Sequence, residues 1–427
     1  MASRQRAGML RSVSTVGLTV LGGAVPALAG QTELLAGLDT RFTDNARKSS
    51  SNEISDLESR AYVKAGYTSD PGRCNSDFSG TLGYRYWQDS TFDNESYAEM
   101  DFAGDCELAN QLYWDVANTL REVNQSSRQS DTQDNRTQKN VFSSGPRYVW
   151  RLNNTNWLTL SALYQNTEFS EPEESDSERY TGSVAWSHAF SQTLNSGLST
   201  SYSRTEYDTG AEVDVTSARV TFSKLWATMN VSGAVGASEI ETRFGTTTQT
   251  SDGLVGELDL TRSLTPSAEW FLRAARELTD RTSTFDFRFG EFQFSLQDSI
   301  SVEVTTIVTG LNKRFSDSGS LTVEAYANQS DYLQSNEQED SSGLNIRYSR
   351  PVAERTSASL GLGYDYQTYA SDDVDDRRAR VELGMEYQAS RDLSLNARAG
   401  HESKVSDLAN SEYEENWVLL GLEYRFR

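Results

Sequence analysis

The chain has 427 residues, and its 62 acidic against 39 basic side chains give a formal net charge of −23. A nucleic-acid-binding protein needs a basic stripe, so this balance excludes nucleic acid as a partner. The 20 tyrosines and 17 phenylalanines are far more than a disordered acidic chain would have, and a mean hydropathy of −0.61 excludes a bundle of membrane helices.

Residues 1–29 have the parts of an export signal. A basic start is followed by an uncharged apolar run over 13–25 and by a small-x-small cleavage site at 27–29. The run is shorter than the ~20 residues that a membrane-spanning helix needs, so a cleaved signal is favoured over a membrane anchor. We therefore expect residues 30–427 to form the mature protein as one domain.

The mature chain alternates apolar and polar residues within segments of about 10–15 residues. The pattern is clear in 177–190, 254–262, 356–369 and 377–389. Successive side chains of a strand point to opposite faces, so each segment has one apolar and one polar or charged face. An Arg or Lys facing lipid at the bilayer midplane costs ~2–4 kcal/mol, so the charged face needs an aqueous or internally paired lumen.

The connections between these segments predict the strand count. Nine are tight, one of them placed at 104–108, and ten are mostly longer and acidic or Ser/Thr-rich, which gives twenty strands with 18 as the alternative. We predict an all-β fold: a single transmembrane antiparallel β-barrel with short periplasmic turns and longer acidic extracellular loops. Acidic clusters at 171–178, 331–340, 372–376 and 412–415 are placed between strands.

The strands of a soluble β-sandwich show the same alternation of apolar and polar residues, but their apolar faces are buried in a core. The signal peptide, the aromatic residues at strand ends and the last strand favour the barrel. In that strand Leu422, Tyr424 and Phe426 share the apolar face, and we predict that they form the terminal signal for the barrel-assembly machinery.

The stretch 285–296 has phenylalanines on both sides of Gly290-Glu291. This pattern predicts two strand ends that meet at a tight turn above the membrane. Packing of these rings on a neighbouring loop is favoured over a platform that stacks on sugars.

The two cysteines, Cys74 and Cys106, predict a disulfide on the periplasmic rim, because a cysteine pair in an oxidising compartment is usually bridged. Both are placed on turns at either end of one hairpin, a gap of roughly 10 Å at ~4.8 Å per strand, which a disulfide spans only if the turns bend inward. No Cys/His cluster or CxxC pair occurs, so neither a metal nor a cofactor is expected.

The side chains on the polar face of each predicted strand are expected to line the lumen. They include both acidic and basic residues. Such residues can form either a wall held together by salt bridges or a polar path for a hydrophilic solute. The candidates are Arg85, Arg147, Arg151, Glu257, Asp259, Asn345, Arg347, Asp365, Arg380, Glu382, Arg398, Glu423 and Arg425.

Enzymatic activity is not expected. The only histidines are His188 and His401, no GxSxG or Gly-rich phosphate loop occurs, and no carboxylate pair stands out in so acidic a chain. The lumen is therefore the favoured functional surface.

The chain resembles the β-barrel porins found beside exopolysaccharide-synthesis and exosortase (PEP-CTERM) genes in Gram-negative bacteria. The features that are similar are the signal peptide, some twenty strands, the turns at 263–267 and 350–356, and the closing 421–426. The resemblance implies an outer-membrane barrel that passes a secreted polysaccharide outward. It also implies contacts with outer-membrane lipid, lipopolysaccharide, the assembly machinery and periplasmic export proteins.

Three functions remain open at this point. The first is a conduit or accessory pore for exopolysaccharide export. The second is a general or substrate-selective porin for small hydrophilic solutes. The third is a non-conducting structural or adhesive barrel whose acidic loops meet partners.

Overall fold

A computed structural model describes residues 30–126, 129–171, 174–280, 288–289, 292–293, 301–333, 337–370, 374–408 and 411–426. The predicted signal peptide at 1–29 lies outside the described residues. Within them, no helix is long and apolar enough to cross a membrane.

The described chain is built almost entirely of strands. They are β1 (Gly30–Thr43), β2 (Asp56–Ser69), β3 (Cys74–Trp87), β4 (Glu95–Ala109), β5 (Leu112–Asn124), β6 (Arg136–Arg151), β7 (Asn156–Phe169), β8 (Ser177–Ser191), β9 (Leu194–Tyr207), β10 (Ala211–Leu225), β11 (Met229–Phe244), β12 (Thr247–Thr265), β13 (Ala268–Asp280), β14 (Arg288–Phe289), β15 (Phe292–Gln293), β16 (Ser301–Arg314), β17 (Ser320–Tyr332), β18 (Glu337–Ala353), β19 (Thr356–Tyr369), β20 (Val374–Gln388), β21 (Leu393–Ser406) and β22 (Tyr413–Phe426).

Twenty of these strands form one closed antiparallel barrel, which confirms the predicted fold class and strand count. Each strand pairs with its neighbours along the chain, and β1 closes the ring against β22 from Leu34 opposite Phe426 to Thr43 opposite Trp417. Closure leaves no edge strand, which is the condition for a sheet to span a membrane. The remaining two, β14 and β15, pair antiparallel, with Phe289 opposite Phe292. The turn predicted at 290–291, and residues 281–287 and 294–300, lie outside the described residues.

Alternate side chains of each strand point outward and inward, so the barrel has an outer and an inner face. Large apolar side chains are exposed on the outer face, for example Leu34, Leu38 and Phe42 of β1, and Val418, Leu420, Leu422, Tyr424 and Phe426 of β22. Their neighbours in sequence, such as Asp39 and Glu423, point to the inner face. A wall that exposes its apolar side chains suits lipid and not water, so the barrel is a transmembrane one.

The barrel has a turn end, with nine short connections and both described termini, and a loop end, with ten connections. Four of the ten connections at the loop end, 208–210, 245–246, 333–336 and 370–373, are no longer than the turns, which have two to five residues. The turn predicted at 104–108 is wrong: β4 continues to Ala109, and the turn is Asn110-Gln111. The acidic clusters predicted between strands lie partly within strands, because strands such as β18 and β22 extend beyond the lipid-facing band at the loop end.

Aromatic rings on the inner face lie flat over glycines of the adjacent strand. The ring of Tyr62 on β2 covers Gly37 of β1, where a methyl group would overlap the ring. The same arrangement recurs for Tyr97 over Gly83, Phe271 over Gly310, Tyr326 over Gly343 and Trp417 over Gly400. These glycines make room for side chains that would otherwise project into the lumen.

Candidate functional site: the barrel lumen

The inner face has all of the side chains that the sequence placed in the lumen. In each strand, these side chains alternate with the exposed apolar residues and therefore point to the opposite face. They are Arg85 on β3, Arg147 and Arg151 on β6, Glu257 and Asp259 on β12, Asn345 and Arg347 on β18, Asp365 on β19, Arg380 and Glu382 on β20, Arg398 on β21, and Glu423 and Arg425 on β22. That they line the path of a solute stays a prediction.

Asp365 is the centre of one cluster on this wall. Its carboxylate is 3.2 Å from a guanidinium nitrogen of Arg378 and 3.0 Å from Arg380, both on β20. The hydroxyl of Tyr326 on β17 donates to the same carboxylate at 2.9 Å. One acid therefore holds two cations, and the local charge is positive.

A second cluster crosses the closure of the barrel. Glu423 on β22 accepts hydrogen bonds from Lys64 at 3.0 Å and from the hydroxyl of Tyr62 at 3.4 Å, both on β2. Arg425 lies 3.0 Å from Glu33 on β1. The first and last strands are thus joined by inner-face charges as well as by backbone hydrogen bonds.

Arg85 lies nearer to the loop end and is buried. Its guanidinium contacts Glu58 at 3.1 Å, Glu95 at 2.6 Å and Glu122 at 3.1 Å, and it lies over the ring of Tyr97. A buried charge is tolerated when it is paired and hydrogen-bonded, and this arginine has three acidic partners.

Other predicted residues each pair with one charged or amide side chain. Arg147 pairs with Asp115 at 2.7 Å, Asp259 with Arg273 at 3.1 Å and Arg398 with Glu382 at 3.9 Å, while Arg151 donates to Asn154 at 3.3 Å. Most of these partners were not predicted from the sequence. They lie at inner-face positions of adjacent strands, so strand parity was the signal that could have identified them: Glu33, Glu58, Lys64, Glu95, Asp115, Arg273 and Arg378.

Exposure of the inner face to water changes steeply along the barrel axis. Near the loop end of β20 and β21 the side chains of Asp376 and Lys404 are 7% and 8% exposed. Nearer the turn end of the same strands, Glu382 and Arg398 are 43% and 54% exposed. This wall is therefore open to water from the turn end and covered at the loop end.

The cover consists of three connections, which we call the three-loop cap: 44–55, 88–94 and 125–135, of which 127–128 lie outside the described residues. Lys48 of the first connection places its ammonium 2.9 Å from Glu402 on β21 and 3.6 Å from Glu415 on β22. Arg41 also contacts Glu415, at 2.6 Å, and the hydroxyl of Tyr413 donates to Glu402 at 2.5 Å. Lys48 thus joins the cap to two acids of the inner wall whose side chains are largely shielded from water.

The three connections also bind one another. The indole N–H of Trp87 donates to Gln133 at 2.7 Å, and the Gln133 amide donates to the backbone carbonyl of Asp93 at 2.7 Å. The rings of Trp87 and Phe92 are 5.0 Å apart and form a small buried cluster with Ala46. The cap therefore packs as one unit.

Asp131 in the third connection is tied to Arg136 at 2.9 Å. Burial among the loops acts to raise the pKa of this carboxyl, but the positive charges of Arg136 and Lys48 outweigh it, so the pKa of Asp131 lies below its ordinary value. The charged carboxylate is therefore the form that the cap favours.

On the side of the barrel opposite the cap, the lumen is narrowed at the loop end by two strand ends that bend inward. β11 and β12 are paired up to Phe244 and Thr247, but β12 and β13 are paired only as far as Gly256 and Arg276. Above that level the ends of β13 and β16 bend to the inside and pack against the inner faces of β8 to β12.

Contacts across this overlap are specific. Asp280 at the end of β13 pairs with Arg179 on β8 and accepts a hydrogen bond from Thr205 on β9 at 2.9 Å. Ser301 at the start of β16 is hydrogen-bonded to Thr242 on β11. Between these polar contacts lies a dry apolar cluster formed by Leu278 with Tyr207, Ala211, Val213, Ile240 and Val255.

The inner faces of β7 to β11 differ from the charged wall because they consist mainly of small hydroxyl side chains. Five serines lie in one register row, directly opposite one another on consecutive strands: Ser161, Ser183, Ser201, Ser217 and Ser238. Two hydroxyl pairs in this row are hydrogen-bonded, at 2.6 and 2.8 Å. The lumen thus has an ionic wall and a neutral hydroxyl wall.

Cys74 and Cys106 form a disulfide at the turn end. The sequence analysis placed each on a separate turn, but Cys74 begins β3 and Cys106 lies within β4, directly opposite, with 4.0 Å between their Cα atoms. The expected gap of two strand spacings was wrong because it followed from the misplaced turn at 104–108.

The histidines lie on the outer face. His188 is hydrogen-bonded to Asn156 and His401 to Asn416, each at 2.9 Å. Neither imidazole therefore points into the lumen. Among the described residues, no group of three His, Cys, Asp or Glu side chains could hold a metal ion.

Residues 339–426, which span most of β18 to β22, match the model of a family described as "Putative beta-barrel porin 2". No curated protein sequence matches the chain. Similar solved structures include a loop-deletion mutant of OmpT, an outer membrane protein of Vibrio cholerae, with 14% identity and a TM-score of 0.38 over 93% of this chain and 100% of that one. OccK1 (OpdK) of Pseudomonas aeruginosa has 10% identity and a TM-score of 0.40 over 93% and 99% of the two chains. The FrpB iron transporter of Neisseria meningitidis has 8% identity and a TM-score of 0.48 over 93% and 83%. The last part of this transmembrane barrel is thus similar to a porin-like barrel family.

Proposed function

We propose that this protein is an outer-membrane conduit that passes a hydrophilic, hydroxyl-rich solute, and that this solute is an exported polysaccharide. The observation that supports the proposal most directly is the exposure gradient of the inner face. A wall of charged and hydroxyl side chains is open to water from the turn end, where a solute made inside the cell would enter. Residues 1–29 would direct the chain to the periplasm, and Leu422, Tyr424 and Phe426 would present it to the assembly machinery.

The loop end supports a gated conduit over a permanently open one. The three-loop cap and the inward-bent ends of β13 and β16 bury inner-face residues at the end that a porin would keep open. Lys48 ties the cap to Glu402 and Glu415, and hydrogen bonds of Asp44 and Asn45 to the start of β22 add to this attachment. None of these contacts belongs to the strand pairing of the barrel, so the cap can separate from the wall without breaking the barrel. The periplasmic export proteins expected as partners would engage the turn end.

A polysaccharide suits the two walls of the lumen. Sugar hydroxyl groups can exchange hydrogen bonds with the serine row, and paired charges on the other wall can bind hydroxyl or carboxylate groups without a large net charge. A barrel of 16–18 strands already leaves an aqueous channel, so twenty strands leave room for a sugar chain.

The second candidate is a selective porin for small hydrophilic solutes. The similarity of residues 339–426 to a porin-like family favours it. Both candidates require a lumen that conducts, whereas a structural or adhesive barrel does not.

Two experiments separate these functions. Planar-bilayer recordings of the purified chain should show conductance that is low in the capped state and rises when the cap is released. Deletion of the gene should abolish secreted polymer while the uptake of small sugars stays unchanged. Normal polymer secretion with reduced sugar uptake would identify a porin instead, and a capless variant without conductance would contradict both.

A further inference from the structure

Four cations lie on the outer face at the turn end, on β10, β12, β16 and β18. Each continues the apolar row of its own strand at the same parity: Lys224 follows Phe222, Arg262 follows Leu260, Lys313 follows Leu311 and Arg350 follows Tyr348. We call these four residues, Lys224, Arg262, Lys313 and Arg350, the basic arc. The strands from β10 to β18 are seven neighbours in the barrel, so the arc extends about 30 Å along the rim at ~4.8 Å per strand.

The rest of the rim is different. None of the other strands that run toward the turn end has a Lys or Arg at its last two outward positions. Aromatic or apolar side chains lie there instead: Tyr67 on β2, Leu108 on β4, Trp150 on β6, Phe190 on β8, Tyr387 on β20 and Phe426 on β22. The cations are therefore confined to one side of the barrel and are not a general feature of its strand ends.

Few acids balance this arc, although the whole chain has a net charge of −23. Among the described residues of this rim segment, Asp317 lies 2.8 Å from Arg350, and Glu354 is next to Arg355 in the turn. Glu269 at the start of β13 lies on the inner face. The outer rim from β10 to β18 is thus positive on an otherwise acidic protein.

The ammonium groups of the arc are positioned by neutral hydroxyls. Lys224 donates to Thr193 at 3.0 Å and lies over the ring of Trp226, and Lys313 donates to Ser267 at 2.7 Å. A hydroxyl partner orients an ammonium group without cancelling its charge. Aromatic residues beside cations at the edge of an apolar band are typical of the lipid headgroup level.

We propose that the basic arc binds the phosphate headgroups of anionic phospholipids in the leaflet at the turn end. The aliphatic stems of these side chains lie along the apolar band, and their charged ends reach the depth at which lipid phosphates lie. Anionic headgroups attract cations close to the membrane surface, and the arc is long enough to contact several lipids. The inference depends on the transmembrane fold and not on the transport proposal.

The test uses the whole barrel in phosphatidylcholine bilayers with a small fraction of spin-labelled lipid. We expect spin-labelled phosphatidylglycerol to be enriched severalfold over labelled phosphatidylcholine at the protein surface. The variant K224Q/R262Q/K313Q/R350Q should lose this preference. The matched control R73Q/R151Q/R391Q/R425Q removes four cations of the same rim outside the arc and should keep it.

Salt provides an independent readout, because screening at about 1 M reduces the Debye length to ~3 Å and should abolish the preference of the unaltered protein. The double variants K224Q/R262Q and K313Q/R350Q should each lose part of it, which keeps the test decisive if the fourfold variant does not fold. A preference that survives in all arc variants, or that the control variant loses equally, would overturn the proposal.

Discussion

The ammonium of Lys48 lies 2.9 Å from a carboxylate oxygen of Glu402, although the two residues are 354 positions apart in the chain. Lys48 belongs to the first loop of the barrel and Glu402 to its next-to-last strand. The contact exists only because the barrel closes and the loop folds inward. It joins the three-loop cap to a wall strand from the other end of the chain.

Replacement of Lys48 by methionine should release the three-loop cap. Glu402 would remain buried without its ion-pair partner, while Glu415 would keep only Arg41, and loss of one partner from a buried ion pair costs about 3–5 kcal/mol. We expect a higher single-channel conductance and faster protease cleavage within 44–55. Glu53→Gln, an exposed change in the same loop, is the control, and equal behaviour of the two variants would contradict the role of Lys48.

Acid should loosen the cap at Asp131. Because the folded pKa of this carboxyl is lowered, its contribution to stability is present above the ordinary value of 3.8 and is lost as pH falls through the folded pKa. Protease cleavage within 125–135 should therefore increase below about pH 4. Asp131→Asn should be cleaved readily at neutral pH and respond less to acid, whereas exposed Asp134→Asn should behave as the unaltered protein does.

Gly37→Ala should destabilise the barrel because the new methyl group overlaps the ring of Tyr62. Overpacking of this kind costs about 1–3 kcal/mol, measurable as a lower urea midpoint in detergent. Gly182→Ala on the outer face is the matched control, since a methyl group there meets nothing within 4 Å. Adding Tyr62→Leu to Gly37→Ala should recover part of the loss, and no recovery would argue against the ring as the cause.

The disulfide should stabilise the barrel by restricting the unfolded chain. Cys74 and Cys106 are 32 positions apart, and closing a loop of that length contributes roughly 3–4 kcal/mol in the chain-entropy description. The double variant C74A/C106A should unfold at lower urea concentration, and the unaltered protein should take up iodoacetamide only after reduction. Labelling of both thiols without reductant would refute the bond.

Opposite charges on the water-accessible wall should have opposite effects on ion selectivity. Glu382→Gln removes a negative charge and should shift the reversal potential in a salt gradient toward anions, whereas Arg398→Gln should shift it toward cations. Both side chains point into the open half of the lumen, so each change alters the field that a passing ion meets. Identical reversal potentials in the two variants would exclude this wall from the conduction path.

The sequence by itself was sufficient for the barrel, the number of strands and the face on which each predicted lumen residue lies. The alternation at Leu420, Leu422 and Tyr424 follows from the geometry of a single strand, in which successive side chains point to opposite faces. Because a charged side chain is costly in lipid, this local pattern also identifies the inward face. The same locality explains one failure: the boundary of β4 was misplaced because residues 104–108 look like a turn and are held in a strand by their neighbours.

Only the tertiary structure decided which inner residues meet. Lys64 contacts Glu423 across the closing strands, Asp280 contacts Arg179 where the end of β13 bends inward, and Lys48 contacts Glu402. These contacts depend on the closure of the barrel, on the bend of β13 and on the path of a loop. The alternation of apolar and polar residues along a strand does not predict any of these three features. The open or covered state of the lumen follows from such long-range contacts, so it could not be predicted from the strands alone.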